Sequence, residues 1–347
     1  MKFILSSFFL LLVQAQAVFA QASDDTSSLA YDARLSDYPY AFDVQYLTVK
    51  SQGQSLQMAY TYLVGNPDKP VVALLHGKNF NGDYWAPTAR YLQSMGFGVL
   101  IPDQVGFGKS SKPEHYQYSF AALASHTHGL LGALDIEQVI LVGHSMGGML
   151  ATRFALMYPQ ATQRLVLLNP IGLENYLEYV EYKDTDFFYS LEMAKTADSI
   201  QAYQQKNYYD GQWNENYAAL TQFMVGQSQG KDKEQVAWVN ALTYDMIFTQ
   251  PVITEFADLE VPVSVIIGTR DRTGPGRNWQ KPGSDYELGR YDRLGKTAAS
   301  LIPDATLYEL DGLGHLPQVE DFDRFTAALN QALEISKPDG AHDRARQ

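Results

Sequence analysis

A chain of 347 residues, 46% hydrophobic and 19% charged, is long enough to bury a large core and ordinary in composition for a globular domain. Its formal charge of −13, with no basic stripe to offset it, argues against a nucleic-acid backbone or an anionic lipid surface as partner. The absence of cysteine excludes disulfides, thiol chemistry and a lipid-modified amino-terminal cysteine, so stability has to come from the core.

At the amino end, Lys2 precedes a mostly apolar run over residues 3–13 that is short for a bilayer span, and small residues follow up to Ala20 and Ala22. The pattern predicts a signal peptide over residues 1–22, cleaved after Ala20 or Ala22. The expected location is therefore the periplasm or the outside medium, with no stable membrane insertion after cleavage; an uncleaved anchor is the other reading. Loss of residues 1–20 removes only Lys2 among the charged residues and leaves a formal charge of −14.

Strands are expected at residues 42–49, 57–63, 71–75, 98–101, 138–142, 164–168, 261–267 and 306–310, on short apolar runs bounded by turn residues. Helical patterns fall at 84–94, 120–134, 146–158, 288–300 and 323–335. The first two strands have no helix between them, which predicts an antiparallel edge; the alternation that follows predicts a parallel sheet. Between residues 171 and 250 the alternation stops in a long helical, aromatic stretch. Eleven of the fifty residues from 171 to 220 are aromatic, 22% against 13% for the whole chain, which fits a lid over an apolar pocket or the core of the insertion itself. Residues 336–347 form a polar tail, expected to be disordered.

The stretch that carries chemistry is Gly143-His144-Ser145-Met146-Gly147, directly after the apolar run ending at Val142 and before a run of helix formers. A serine on a sharp strand-to-helix turn presents its hydroxyl and aims neighbouring amides at whatever it attacks. Gly143 and Gly147 suit the strained backbone that such a turn demands. Such a serine needs an acid and then a histidine further along the chain. Only His315 and His342 lie far enough on, and His342 sits in the tail, so His315 is the expected base. Asp271 stands just past the strand at 261–267, at the carboxyl edge of the sheet where ligand chemistry gathers in open α/β folds. The alternative acid position, after the strand at 164–168, holds Asn169, which cannot supply the charge.

The loop after the third strand, His76-Gly77-Lys78-Asn79-Phe80, is a candidate for part of an oxyanion hole. One backbone N–H is expected from Met146 and another from Lys78, with Asn79 as the alternative. His76 precedes the serine and is read as packing the loop. Gly106-Phe107-Gly108-Lys109-Ser110 matches neither a P-loop nor a full dinucleotide fingerprint and is read as a structural turn beside Asp103. His126 and His128, two apart on a helix, cannot share a face to hold a metal. No metal and no cofactor are expected.

Taken together, the elbow, the His76-Gly77 loop, the Asp103 turn, the Gly268-Thr269-Arg270-Asp271 turn and Gly314-His315 resemble the α/β-hydrolase superfamily from about residue 46 to about residue 335. The likeness is to esterase-like, haloperoxidase-like and carbon–carbon hydrolase members; serine at the nucleophile position differs from the aspartate of epoxide hydrolases and haloalkane dehalogenases. The resemblance implies an α/β-hydrolase fold with a mostly parallel, doubly wound eight-stranded sheet. Core segments are expected at 23–170 and 251–335 and a helical cap at 171–250. It also implies catalysis by Ser145, Asp271 and His315 on a small-molecule ester or related acyl compound. His144, Tyr244 and Arg270 are candidate substrate contacts. A carbon–carbon hydrolase of a diketone acid, and a ligand-binding protein of this fold without turnover, are the alternatives.

Overall fold

Continuous apolar runs become the central strands because both faces of the sheet are covered. In the computed structural model, which describes residues 29–333, the strands are β1 (Gln45–Ser51), β2 (Gln54–Leu63), β3 (Val71–Leu75), β4 (Gly98–Pro102), β5 (Val139–His144), β6 (Thr162–Leu168), β7 (Val263–Gly268) and β8 (Ala305–Leu310). They form one eight-stranded sheet in the order β1-β2-β4-β3-β5-β6-β7-β8. β1 pairs with β2 and β2 with β4 in antiparallel fashion, and every pairing from β4 to β8 is parallel. The expected edge and parallel body are both present. The expected signal peptide and carboxyl-terminal tail lie outside the described residues.

Alternate side chains of each buried strand feed two separate cores. Ala73, Leu75, Leu141, Leu167 and Val265 pack on one face, against α2 (Phe120–Ala133), α3 (Met146–Met157) and α10 (Tyr291–Leu301). Val72, Leu74, Ile140, Val142 and Ile266 pack on the other, against α1 (Ala86–Ser94) and α12 (Phe322–Leu333). Each fully buried Leu, Ile or Val contributes about 1.5–3 kcal/mol through burial, so the middle strands are the stable platform of the molecule.

The stretch between β6 and β7 is helical, as expected: α4 (Tyr176–Tyr179), α5 (Thr185–Met193), α6 (Ala197–Asn207), α7 (Glu215–Ala219), α8 (Gln222–Gln229) and α9 (Lys233–Thr249). Asp184, Thr196 and Asn214 cap α5, α6 and α7 with side-chain oxygens on first-turn N–H groups, which fixes where those helices begin. Two other segments join this insertion. The loop after β7 reaches it through a bridge between Gln280 and Val180. The segment before β1 crosses it: the Tyr31 N–H donates to the Gly226 carbonyl (3.0 Å) and the Ala33 N–H to Asp232 (2.9 Å). The same segment then returns to the sheet, where the Tyr40 hydroxyl donates to Asp103 (2.7 Å).

Candidate active site

β3 sits between β4 and β5, so the chain leaves β3 toward one side of the sheet and β5 toward the other. The loops after these two strands face each other at the carboxyl edge, where open α/β sheets bind ligands. Ser145 follows β5 with φ 56° and ψ −123°, a backbone region that non-glycine residues rarely enter. Close packing holds the turn: a Cβ on Gly143 would lie 2.3 Å from the Gly147 carbonyl oxygen, and one on Gly147 2.2 Å from that of Leu75. The elbow is therefore as tight as the glycine pattern suggests.

Three side chains far apart in sequence meet at this edge. His315 Nε2 lies 3.0 Å from Ser145 Oγ, and His315 Nδ1 lies 2.7 Å from Asp271 Oδ2. The ring donates from Nδ1 to the carboxylate and accepts the serine hydroxyl at Nε2. His315 and Asp271 are buried, and Ser145 is 6% exposed. Burial alone would raise the Asp271 carboxyl. His315, Asn169 Nδ2 (2.9 Å) and the Thr273 N–H (2.7 Å) outweigh it and hold the acid below the usual carboxylate range.

Asn169 has a role that its reading as a failed acid missed. It follows β6 with φ 35°, donates to Asp271, and accepts from the Gly268 N–H at 2.8 Å. It thus pins both the carboxylate and the end of β7.

The loop after β3 runs beside the serine, since a Cβ on Gly77 would stand 3.0 Å from that of Ser145. Among the described residues the N–H groups of Lys78 and Asn79 donate no hydrogen bond, and Met146 is the first residue of α3, where amides have no intrahelical partner. His76 is buried, with Nε2 accepting from the Gln104 N–H at 3.1 Å, which is the packing role expected of it. Asp103 accepts from the Gly82 N–H (2.6 Å) and the Lys109 N–H (2.7 Å), closing the structural turn.

Two expected substrate contacts have to be corrected. His144 is fully buried and both ring nitrogens are taken: Nε2 donates to the His315 carbonyl (2.8 Å) and Nδ1 accepts from the Tyr84 hydroxyl (2.9 Å). Burial, with His315 beside it, pushes His144 down to about 3, so it stays neutral and positions the His315 backbone. Arg270 donates from Nε to the Gly312 carbonyl (2.8 Å) and pairs with Glu320, which accepts the Gly314 N–H at 2.9 Å. Its charge is spent on shaping the loop that carries His315.

Tyr244 does line a cavity of about 620 Å³ under the insertion, together with Phe188, Ile200, Tyr203, Phe248 and Trp279. Trp279 and the neighbouring residues 273–278 come from the loop after β7, a contribution not foreseen from the sequence. The cavity meets the catalytic floor at Asn79 and Thr273. Tyr208 forms the boundary: its ring stacks on His315 at 4.7 Å between centroids, and its hydroxyl accepts from Asn79 Nδ2 at 2.9 Å. A tyrosine at a helix end carries no sequence signal for such a place. Among the described residues no cluster of three or more metal-ligating side chains occurs, and no helix is long and apolar enough to cross a membrane.

Comparisons with known proteins bear on the fold and the family. Residues 70–322 match the family model described as alpha/beta hydrolase fold. A probable hydrolytic enzyme from Pseudomonas aeruginosa, known from its crystal structure, is 45% identical, with a TM-score of 0.86 over 89% of this chain and 99% of that one. Lipase 1 of Psychrobacter immobilis is 25% identical across 85% of this chain and 84% of its own length. A 2-hydroxy-6-oxo-2,4-heptadienoate hydrolase of Pseudomonas putida is 35% identical over 111 residues, which is 31% of this chain and 39% of that protein. The chain spans only about a third of the length of the first curated relatives that it matches.

Proposed function

This chain belongs to the α/β-hydrolase fold family and is an enzyme of that family, and from that premise we propose that it cleaves a carboxylic ester through an acyl-enzyme on Ser145. The observation that carries the reading is the unbroken chain of hydrogen bonds from Asp271 through His315 to the Ser145 hydroxyl.

In the first half-reaction the serine oxygen bonds to the ester carbonyl carbon while its proton passes to His315 Nε2. Asp271 stabilises the imidazolium that forms. The negative oxygen of the tetrahedral intermediate is held by the N–H of Met146 and that of Lys78 or Asn79, all free of other partners. Collapse breaks the bond to the alcohol, which leaves with the proton from His315. Water then repeats the attack with His315 as base and releases the acid. Helices α4–α9 act as the cap, and the apolar cavity beneath them favours an ester with a sizeable apolar part.

Labelling with a neutral fluorophosphonate followed by mass mapping tests this reading. Modification at Ser145 is expected; an unlabelled chain means a binding protein without turnover. The carbon–carbon hydrolase reading draws on the Pseudomonas putida relative. Two of the arginines beside Asp271 are paired away from it, Arg270 with Glu320 and Arg272 with Asp292, whereas Arg277 lines the large cavity and keeps this second reading open. Comparing nitrophenyl esters with a ring-fission product separates the two chemistries.

A further inference from the structure

A second, smaller cavity of about 50 Å³ adjoins the large one, and Asn79, Glu192, Lys195, Ile200 and Met224 line both. Its other walls bring together Lys78, Lys112 and Lys233, so four lysines and one glutamate face a space of a few water molecules in a chain whose net charge is −13. The glutamate is already neutralised, since both Glu192 oxygens lie within 2.8 Å of Lys195 Nζ. Among the described residues, Lys78, Lys112 and Lys233 have no carboxylate at salt-bridge distance.

Lys78 and Lys112 are buried, and each gives its ammonium group one neutral acceptor. Lys78 Nζ donates to Asn240 Oδ1 (3.2 Å) and lies 4.4 Å above the Tyr244 ring; Lys112 Nζ donates to the Gly108 carbonyl (2.6 Å). An ammonium group carries three donors, and a buried cation with no ion-pair partner in contact is costly, a cost that Glu192 near Lys78 and Asp103 near Lys112 offset only in part. Burial pushes both amines down to about 7, so near neutral pH each is poised between its neutral and charged forms, and an anion beside it favours the charged one. Buried amines with spare donors around a space the size of one small group together describe a receptor for an anion.

We propose that this lysine-lined pocket is an anion subsite, taking the carboxylate or phosphate end of a substrate whose apolar body fills the larger cavity. Lys78 places it beside the catalytic floor, because its own backbone borders Ser145. The substrate class then narrows to amphiphilic acids whose ester lies a short reach from the charged group. The inference deepens the ester-hydrolase reading and rests on it for the word substrate, but the binding it requires does not depend on turnover.

Calorimetric titration of the full chain with glutarate and, separately, inorganic phosphate tests it, while fluorophosphonate labelling of Ser145 reports independently on the hydrolase reading. Binding of either anion is expected, weakened by about tenfold or more in Lys112→Met and in Lys78→Met, with the exposed Lys296→Met as the control. Binding of glutarate alone assigns a carboxylate, and of phosphate alone a phosphate; either supports the subsite. Should the buried variants not fold, the wild-type chain still decides, since glutarate or phosphate should protect Ser145 from a fluorophosphonate bearing an apolar tail. No binding at millimolar anion, binding that survives both substitutions, or binding without protection overturns the proposal.

Discussion

The catalytic floor and the helical insertion above it are held in place by different kinds of force. On the floor, Ser145, Asp271 and His315 each stand directly past a strand that is buried on both faces or on a loop anchored to one, and every polar partner is a short hydrogen bond. The insertion is seated mainly by apolar packing, with Phe188, Val239, Met246 and Phe248 in one cluster with Leu75, Leu141 and Leu167 and Tyr208 stacked on His315, to which polar pairs such as Asn79 with Tyr208 and Lys78 with Asn240 are added. The difference teaches that the geometry of Ser145, Asp271 and His315 is fixed by directional bonds at strand ends, whereas the insertion is placed by packing that tolerates substitution more readily. A family can then keep one chemistry while varying what reaches it.

The largest effect that would test this division is at the nucleophile. Ser145→Ala should lower kcat by about four orders of magnitude or more while leaving the melting temperature almost unchanged. Ester cleavage at the wild-type rate would end the assignment. Asp271→Asn should cost on the order of 10⁴ in kcat, because the ring of His315 would no longer be held in the required tautomer.

Asn169→Leu comes next. It removes one hydrogen bond from Asp271 and strands the Gly268 N–H, so kcat should fall by roughly ten- to a hundredfold with KM nearly constant. A change confined to KM would instead place Asn169 among the groups that select substrate.

Glu174 probes the seam where the insertion leaves the sheet. It is buried, and both its oxygens lie 3.2 Å from the Gly289 N–H. Burial pushes its carboxyl up to about 7, so the folded chain keeps a proton that the unfolded chain releases at lower pH. Stability from this group is full below the ordinary carboxylate range and is lost as pH climbs toward about 7. Glu174→Gln should therefore be more stable than wild type at pH 8, by on the order of 2 kcal/mol, and the gain should vanish near pH 4. Denaturation curves at the two pH values measure it.

The smallest effect belongs to the boundary itself. Tyr208→Phe keeps the ring on His315 and loses only the bond to Asn79, so kcat/KM should drop by about two- to tenfold. A loss as large as that of Asn169→Leu would mean that the insertion shares in fixing the reaction geometry.

The same division explains what could be read from the sequence. The central strands were visible because a strand buried on both faces must be a continuous apolar run, and the edge strands β1 and β8, which are not, by the turn residues around them; only the ends moved, as where β6 starts at Thr162 after the short turn Pro159–Ala161. Ser145 and Asp271 were legible because each follows such a run in a glycine-bearing turn, and His315 because it was the one histidine far enough along the chain outside the tail. Asn169 was seen but assigned nothing, since its work is to hold another side chain. His144 and Arg270 were mistaken for substrate contacts because proximity in sequence to Ser145 and Asp271 does not reveal which way a side chain turns. Tyr208, the loop at 273–279 and the lysine pocket are built by packing between distant segments, and no periodicity records that.

The leading segment adds one consequence. An insert joined to its sheet only where the chain enters and leaves can swing like a door on two hinges. Here residues 31–40 are stitched to α8 on one side and to the Asp103 turn on the other, and Gln235 and Trp238 of α9 donate to the Lys112 and Glu114 carbonyls, so there are fastenings away from both hinges. These fastenings favour admission to the buried serine by rearrangement of side chains such as Tyr208 and Asn79, a turnstile motion, and removing residues 31–40 should loosen the insertion without freeing it.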